Sequence, residues 1–188
     1  MPESPITLVA IVGSLRAASV NRVVFDAAVE VVPDRVTLVE APVRDLPFYD
    51  GDLEAAGEPA AVTALKEAVA GADGVVFFTP EYNRSVPAVT KNALDWASRV
   101  PGDSAIGGKP IAIVAAAPGG HEVTGVRTAL ALTAAGARAR PFGESLGIGA
   151  VTGLIDDGRL IDESTRDVLA GYLARFVEFV TTPVPDGD

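Results

Sequence analysis

Two patterns of apolar and polar residues alternate along this chain. Short runs rich in β-branched residues are typical of strands, and longer segments in which apolar residues recur every three or four positions are typical of amphipathic helices. The first pattern predicts strands over 6–12, 36–42, 74–80, 109–117 and 137–143. The second pattern predicts helices over 21–31, 60–70, 86–99, 123–135 and 162–180.

Strands that alternate with helices indicate an α/β fold built on a parallel sheet. The first, third and fourth strands are almost wholly apolar, as expected when helices cover both faces of a doubly wound sheet, whereas 36–42 is mixed and suits an edge. We expect one domain over residues 1–180, followed by a disordered tail, "TTPVPDGD", over residues 181–188.

Charge and composition exclude several function classes. The chain has 188 residues and a formal net charge of −10, with no basic run to follow a phosphate backbone, which argues against a nucleic-acid partner. It has no cysteine and a single histidine, so a cysteine zinc site, a thiolate nucleophile and a histidine-rich metal cluster are not expected.

The chain carries no stretch of about 20 apolar residues, the length that a membrane span requires. The run "ITLVAIV" has the length of the apolar part of a signal peptide, but "MPESP" before it contains an acid and no lysine or arginine. We therefore expect a cytoplasmic protein without a membrane partner.

Ligands of doubly wound sheets bind beyond the carboxyl ends of the strands, which directs attention to the loops after strands one, three and four. The first loop, "GSLRAASVNR", offers neutral donors from Ser14, Ser19 and Asn21 and a planar charged donor from Arg16, ahead of a helix N-terminus. This composition favours a monophosphate, since neither G-x-G-x-x-G nor a P-loop is present. The alternative is that the serines only cap the helix and Arg16 is a surface charge.

The second loop, "TPEYNRSVP", places the aromatic face of Tyr82 between two prolines, where a flat heteroaromatic ring could lie. The alternative is a proline-bounded turn in which Tyr82 only packs. In the third loop, "APGGHEVTG", Gly119 and Gly120 allow the backbone to approach a ligand closely. His121, beside Glu122, is more often a solvated group than a catalytic one.

The segment "GESLG", residues 143–147, matches the nucleophile elbow of serine hydrolases. No histidine follows Ser145, and "IGAVTG" does not resemble the helix that an elbow opens into. We interpret the segment as part of an interrupted last strand.

Together, "GSLRAASVNR" (13–22) and "PEYNRSVPAVTKNALDWASR" (80–99) resemble the NADPH-dependent FMN reductase family of flavodoxin-like proteins, which includes quinone, chromate and azo-dye reductases. The similarity extends to about Phe179. It implies a five-stranded parallel sheet in the order 2-1-3-4-5 with helices on both faces.

The resemblance also implies a cofactor, FMN, and the residues that hold it. The FMN phosphate would fall to Ser14, Arg16, Ser19 and Asn21, and the isoalloxazine ring would border Pro80, Glu81, Tyr82, Asn83 and Ser85. Gly119 and Gly120 would complete the wall. Two positions depart from the family, because Ala88 stands where glycine is common and the third loop lacks the serine often found at the strand end.

The implied activity is hydride transfer from NADPH or NADH to FMN, then transfer of two electrons to a quinone, azo, metal-oxyanion or free-flavin acceptor. No catalytic side chain and no metal are expected, since the cofactor carries the chemistry. Family members are commonly homodimers or homotetramers, built partly through the helix at residues 88–99. Two alternatives remain open: a flavodoxin-type electron carrier without NAD(P)H turnover, and a scaffold that has lost its flavin and serves as an interaction module.

Overall fold

The computed structural model describes residues 4–100 and 102–183. Its helices are α1 (Val20–Val31), α2 (Gly51–Ala56), α3 (Ala60–Ala70), α4 (Ala88–Ala97), α5 (Thr124–Gly136) and α6 (Glu163–Thr181). Its strands are β1 (Ile6–Val12), β2 (Val36–Glu40), β3 (Gly74–Thr79), β4 (Pro110–Ala116), β5 (Arg140–Pro141), β6 (Leu146–Ile148), β7 (Ile155–Asp156) and β8 (Arg159–Leu160).

The main sheet is parallel throughout, in the order β2-β1-β3-β4-β5, and β6 also pairs with β4. The register places Val9 opposite Val39 on one side and opposite Val75 on the other. The predicted flavodoxin-like α/β fold and its strand order are confirmed. The order reverses at β1, so the loops after β1 and β3 diverge there and leave room for a ligand.

The last strand of the sheet is interrupted, as the sequence predicted. Both β5 and β6 lie along β4, and the segment between them leaves the ladder. Arg127 donates to the Ser145 carbonyl oxygen at 3.1 Å and to its Oγ at 3.3 Å, while Tyr172 Oη donates to the Glu144 carbonyl at 3.4 Å. Since β6 and not a helix follows Ser145, the hydrolase elbow is absent from this segment.

Two apolar clusters hold the helices against the sheet. Alternate residues of β1 point to opposite faces, so that Leu8 packs with α1 and α6 while Val9 packs with α3, α4 and α5. Leu8 and Val9 are both 0% exposed, which explains why β1 is apolar at nearly every position. Trp96 of α4 is fully buried in the second cluster.

The structure differs from the predicted elements mainly at short segments. The pattern missed α2, whose residues are all at least partly exposed, and the antiparallel β7–β8 hairpin, because such short elements lack an apolar period. The predicted helix over 86–99 begins at Ala88, after Pro87, and ends at Ala97.

Of the predicted C-terminal tail, residues 184–188 lie outside the described residues, and Thr181 is the last residue of α6. Across the described part of the chain, we find no helix with the length and apolar character needed to cross a bilayer.

Candidate active site

The three predicted loops meet at one edge of the sheet, because parallel strands place their carboxyl ends together. They enclose a cavity of about 90 Å³. The residues that line it are Ser14, Arg16, Ala18, Ser19, Val20 and Asn21 from the first loop, Pro80, Glu81 and Tyr82 from the second, and Ala116, Ala117, Pro118 and His121 from the third. The structure thus brings most of the predicted site residues to a single pocket.

The first loop presents a row of unpaired backbone donors. The amide N–H groups of residues 14–21 donate to no acceptor within the described residues. Ser19, only 4% exposed, is the N-cap of α1 and its Oγ accepts from the Arg22 amide at 3.3 Å. Arg16 is exposed and, among the described residues, has neither a hydrogen bond nor an ion pair. Unpaired amides at a helix N-terminus beside an unpaired guanidinium form a site suited to a phosphate.

Gly13 sets the path of this loop. A Cβ at this position would lie 2.0 Å from Thr90 Oγ1 on α4 and 3.1 Å from Thr79 Oγ1 at the end of β3. The Gly13 amide donates to the Phe78 carbonyl oxygen at 2.8 Å, which keeps the chain in the sheet up to that point. The loop therefore passes so close to α4 that only glycine fits.

Asn21 is 2% exposed and joins α1 to the last residue of β4. Its Nδ2 donates to the Ala116 carbonyl oxygen and its Oδ1 accepts from the Ala116 amide, both at 3.0 Å. One further Nδ2 N–H has no partner among the described residues, and Asn21 lines the pocket. Asn21 thereby holds the first and third loops at a constant separation, a role that its sequence position did not reveal.

The second loop forms a tight two-residue turn. Tyr82 and Ser85 exchange backbone hydrogen bonds of 3.2 and 2.9 Å around Asn83 and Arg84. Both central residues have positive φ, 50° and 61°, the combination that type I′ turns require and that asparagine tolerates better than arginine. This turn holds Tyr82 at the surface with 48% of its area exposed, so its ring is open to a ligand.

Glu81 is turned towards α5. Its Oε2 accepts from the Val126 amide at 2.9 Å and thus satisfies a donor in the first turn of that helix. The second loop packs closely against the first turn of α5, since a Cβ on Gly125 would lie 2.5 Å from the Arg84 carbonyl oxygen. The carboxylate joins the second loop to the third, so both loops are supported by one helix end.

A second compartment of about 380 Å³ opens beside the first and shares Ser14, Arg16 and Tyr82 with it. Its remaining lining residues are Gly13, Leu15, Pro87, Ala88 and Val89. The volume of this compartment and its mostly apolar lining suit a flat ring that is attached to a phosphate in the smaller compartment. Leu15 and Val89 were not predicted as site residues, because single apolar residues next to a loop carry no signal of their own.

The third loop borders the smaller compartment through Ala117, Pro118 and His121, whereas Gly119 and Gly120 line neither compartment. The amides of Gly119 and Gly120 donate to no acceptor in residues 4–100 or 102–183, and a Cβ on Gly120 would meet nothing within 4 Å. The loop is held from behind by residues after β6, since the Ala150 amide donates to the Gly119 carbonyl oxygen at 2.6 Å. His121 and Glu122 are both exposed, and His121 lines the smaller compartment. Sequence patterns gave no sign that residues 147–151 support this loop.

Asn83 and Ser85 are exposed at the turn and line neither compartment. No group of three or more acidic, histidine or cysteine side chains within the described residues is arranged to hold a metal ion. At the first turn of α1, Glu40 raises the pKa of Arg22 through a bidentate ion pair. This pair lies on the β2 side of the first loop, away from the smaller compartment.

Comparison with known proteins agrees with this geometry. The family model for NADPH-dependent FMN reductase matches residues 6–153. A quinone reductase from Pseudomonas putida is 37% identical over 172 residues, covering 90% of this chain and 92% of the relative. A quinone reductase from Escherichia coli K12 is 38% identical over 184 residues, covering 92% and 94%.

Among solved structures, FerB from Paracoccus denitrificans, a flavoenzyme NAD(P)H:(acceptor) oxidoreductase, superposes with a TM-score of 0.84 at 31% identity. The match covers 93% of this chain and 97% of FerB. The family matched along most of the chain is the one that the loops after β1 and β3 indicated, and this chain belongs to the NADPH-dependent FMN reductase family.

Proposed function

We propose that this chain is an FMN-dependent NAD(P)H oxidoreductase that passes two electrons to a small acceptor, with a quinone as the first choice. The predicted enzyme class and its cofactors are supported by the family match and by the named activities of the relatives. The observation that carries the proposal is the row of unpaired amides at residues 14–21 beside the unpaired guanidinium of Arg16.

The residues present fit FMN. The unpaired guanidinium of Arg16 lies just before the N-terminus of α1, where the amides carry partial positive charge, so a bound phosphate would complement both groups. Ser14, Arg16, Ser19 and the remaining N–H of Asn21 would hold the phosphate, with the amides of the same loop. The larger compartment, bordered by Tyr82 and Pro87, would hold the ring.

The remaining predicted FMN contacts belong to the second loop and the third loop. Pro80 and Glu81 line the smaller compartment, and Asn83 and Ser85 form the turn that presents Tyr82. Gly119 and Gly120 would approach the cofactor through their backbone amides, which are free to donate. We propose each of these residues as an FMN contact, and the FMN affinity of the corresponding single variants tests each assignment.

FMN, when bound, supplies the redox chemistry that accepts hydride from NAD(P)H and delivers two electrons to the acceptor. The chain binds and orients it. Glu81 is already engaged by the α5 amide and so serves to position the second loop. We propose no catalytic side chain: fixed donors hold the cofactor, and the open side of the larger compartment admits first the reduced nicotinamide and then the acceptor.

An absorbance experiment tests this function. The purified protein is incubated with FMN, desalted, and mixed anaerobically with NADPH, and a quinone is added afterwards. We expect retained flavin bands that bleach with NADPH and return with the quinone. Retained bands that do not bleach with NADPH or NADH would favour the electron-carrier alternative, and the absence of any bands would refute the FMN assignment.

The same proposal includes a homodimer or homotetramer built partly through α4. Phe48 is 77% exposed and is held beside α4, because Asn92 and Trp96 both donate to the Pro47 carbonyl oxygen at 2.8 Å. The Tyr49 and Trp96 rings also pack edge to face at 4.9 Å, which makes the exposed phenyl ring part of a rigid surface. An exposed aromatic group of this kind suits an interface between subunits.

Light scattering on the purified protein tests the oligomer, and Phe48→Asp should shift it to the monomer without changing the flavin spectrum. A monomeric wild-type protein would contradict the proposed oligomer and leave the proposed activity unaffected. The proposal also keeps the cytoplasmic location expected from the sequence, which fractionation of cells tests.

A further inference from the structure

Two threonine hydroxyl groups are buried beneath the first and second loops, and the FMN contacts proposed above make no use of them. Thr79 is the last residue of β3, Thr90 lies in the first turn of α4, and both side chains are fully buried. Their Oγ1 atoms lie 3.1 Å apart. Burying a hydroxyl group costs free energy unless it is hydrogen-bonded, so the partners of this pair show what it does.

The two hydroxyl groups form a short relay that ends on the Pro80 carbonyl. Thr79 Oγ1 donates to the Pro80 carbonyl oxygen at 3.1 Å, and since a hydroxyl group has one hydrogen, Thr90 Oγ1 is the donor between the two threonines. Pro80 is buried, and its carbonyl oxygen accepts no other hydrogen bond within the described residues. The relay therefore satisfies a backbone acceptor that the fold would otherwise leave unpaired, and the Thr90 hydroxyl strengthens the bond.

The direction of this carbonyl fixes the direction of the next amide. The side chains of Phe77 and Thr79 point to the sheet face that α4 covers, so the Pro80 carbonyl turns towards α4. The peptide that joins Pro80 to Glu81 is trans and planar, and its N–H therefore points the opposite way, towards the face that α1 covers. The smaller compartment lies on that side, since residues 18–21 line it together with Glu81.

The Glu81 amide is a free donor at the junction of the two compartments, since Tyr82 beside it lines both. It donates to no acceptor in residues 4–100 or 102–183, whereas the Tyr82 amide is used by the turn and donates to the Ser85 carbonyl oxygen at 3.2 Å. The threonine relay holds the carbonyl on one side of this N–H, and the Val126 amide holds the Glu81 carboxylate on the other. The donor is therefore preorganised and loses little freedom when a ligand binds.

A fixed N–H donor distinguishes the two redox states of a flavin. The ring of oxidised FMN presents nitrogens that accept hydrogen bonds, and reduction by hydride places a hydrogen on one of them, N5. An N–H group aimed at that nitrogen stabilises the oxidised state and meets a second hydrogen in the reduced state. If the peptide turned over, its carbonyl would instead accept from the reduced ring. Holding the peptide in one orientation therefore keeps the potential of bound FMN low.

We propose that Thr79 and Thr90 are positioning residues for the redox reaction: their relay fixes the peptide after Pro80, so that the Glu81 N–H donates to a ring nitrogen of oxidised FMN and lowers the potential of the bound cofactor. This inference rests on the proposed function, because it assumes that FMN occupies the two compartments. It gives a role to two buried hydroxyl groups that line neither compartment.

Thr79→Val tests the proposal, because valine keeps the shape of threonine and removes the hydroxyl group. Anaerobic equilibration of the FMN-loaded protein with a reference dye gives the midpoint potential, and fluorescence titration gives the affinity for oxidised FMN. We expect oxidised FMN to bind about 3- to 10-fold more weakly, the range for one hydrogen bond between neutral groups, and reduced FMN to stay within about 2-fold. The potential should then rise by about 15–30 mV, since a tenfold change corresponds to about 30 mV for a two-electron couple.

Three further variants separate positioning from packing. Thr79→Ser keeps the hydroxyl group without the methyl group and should have the wild-type potential. Thr133→Val is the matched control: its hydroxyl group donates to the Ala129 carbonyl oxygen at 2.7 Å within α5, away from both compartments, so the potential and the FMN affinity should not change. Thr90→Ala should raise the potential by less than Thr79→Val, because Thr79 keeps its own bond to Pro80.

Amide exchange in the wild-type protein gives a measurement that needs no variant. By NMR, the Glu81 amide should exchange rapidly with deuterium in the FMN-free protein and slowly with FMN bound, and equal rates in the two states would overturn the proposal. It would also be overturned by a wild-type potential in Thr79→Val, by equal shifts in Thr79→Val and Thr79→Ser, or by equal losses of affinity for oxidised and reduced FMN, which would place the donor on the phosphate. Bleaching by NADPH is scored separately, so that a flavin that binds and bleaches without these shifts contradicts only this inference.

Discussion

Replacing Gly13 by alanine should damage both the fold and the cofactor site. The new Cβ would lie 2.0 Å from Thr90 Oγ1, whereas ordinary contacts begin near 3.4 Å, so loop and helix must separate by more than 1 Å. Thr90 is fully buried and cannot rotate away freely. Overpacking of this kind costs about 1–3 kcal/mol of unfolding free energy. Since the same loop carries the unpaired amides of residues 14–21, its displacement should also weaken FMN by about 10-fold.

A double-mutant cycle with Thr90→Ala tests the steric reasoning. Thr90 Oγ1 lies 3.1 Å from Thr79 Oγ1, so Thr90→Ala alone should cost about 1 kcal/mol. In the double variant the oxygen that clashes is gone, and we expect about 1–2 kcal/mol of the Gly13→Ala loss to be recovered. Gly153→Ala is the matched control, since a Cβ there would meet nothing within 4 Å.

The assays are urea unfolding for stability and flavin fluorescence titration for FMN. Losses in Gly13→Ala that simply add to those of Thr90→Ala would refute the clash as the cause. A Gly13→Ala protein with wild-type stability and FMN affinity would refute the assigned path of the loop.

Three further predictions concern the same regions. Arg16→Gln should weaken FMN by about 1.5–3 kcal/mol in a fluorescence titration, with Arg138→Gln unchanged, and equal affinities would remove Arg16 from the phosphate site. Asn21→Ala leaves both Ala116 backbone groups without their buried partner and should cost about 2–4 kcal/mol by urea unfolding, where a loss below about 0.5 kcal/mol would argue against this bridge. Hydrogen bonds from Arg175 lower the pKa of Glu144, so the stability from this ion pair is complete above the unfolded carboxyl pKa of 4.5 and is lost as the pH falls through the lower folded value. The calorimetric Tm gap between the wild type and Glu144→Gln should therefore shrink between about pH 6 and about pH 3, and a gap independent of pH would contradict the shift.

The apolar pattern was sufficient for the sheet and the long helices. Both β1 and α3 have the predicted limits, because β1 is covered on both faces and α3 shows a clear helical period. The fifth strand was predicted over residues 137–143 but pairs at Arg140–Pro141 and again at Leu146–Ile148. Both short segments pair with β4, and Arg127 of α5 and Tyr172 of α6 hydrogen-bond to the residues between them. These contacts come from distant parts of the chain, so the local sequence does not encode them.

The sequence by itself predicted which loops would bear the site, since the residue types in 13–22 favour a phosphate and the motifs in 13–22 and 80–99 resemble those of the family. The apolar strands joined by helices predicted the parallel α/β sheet, and the family resemblance implied its strand order, which the structure confirms. Only the tertiary structure decided what each side chain does there. It turned Glu81 to the α5 amide, used Asn21 to bridge α1 and β4, and brought the Thr90 hydroxyl to that of Thr79. The physical reason is that hydrogen-bond partners and cavity walls come from residues distant in the chain, and packing sets their distances.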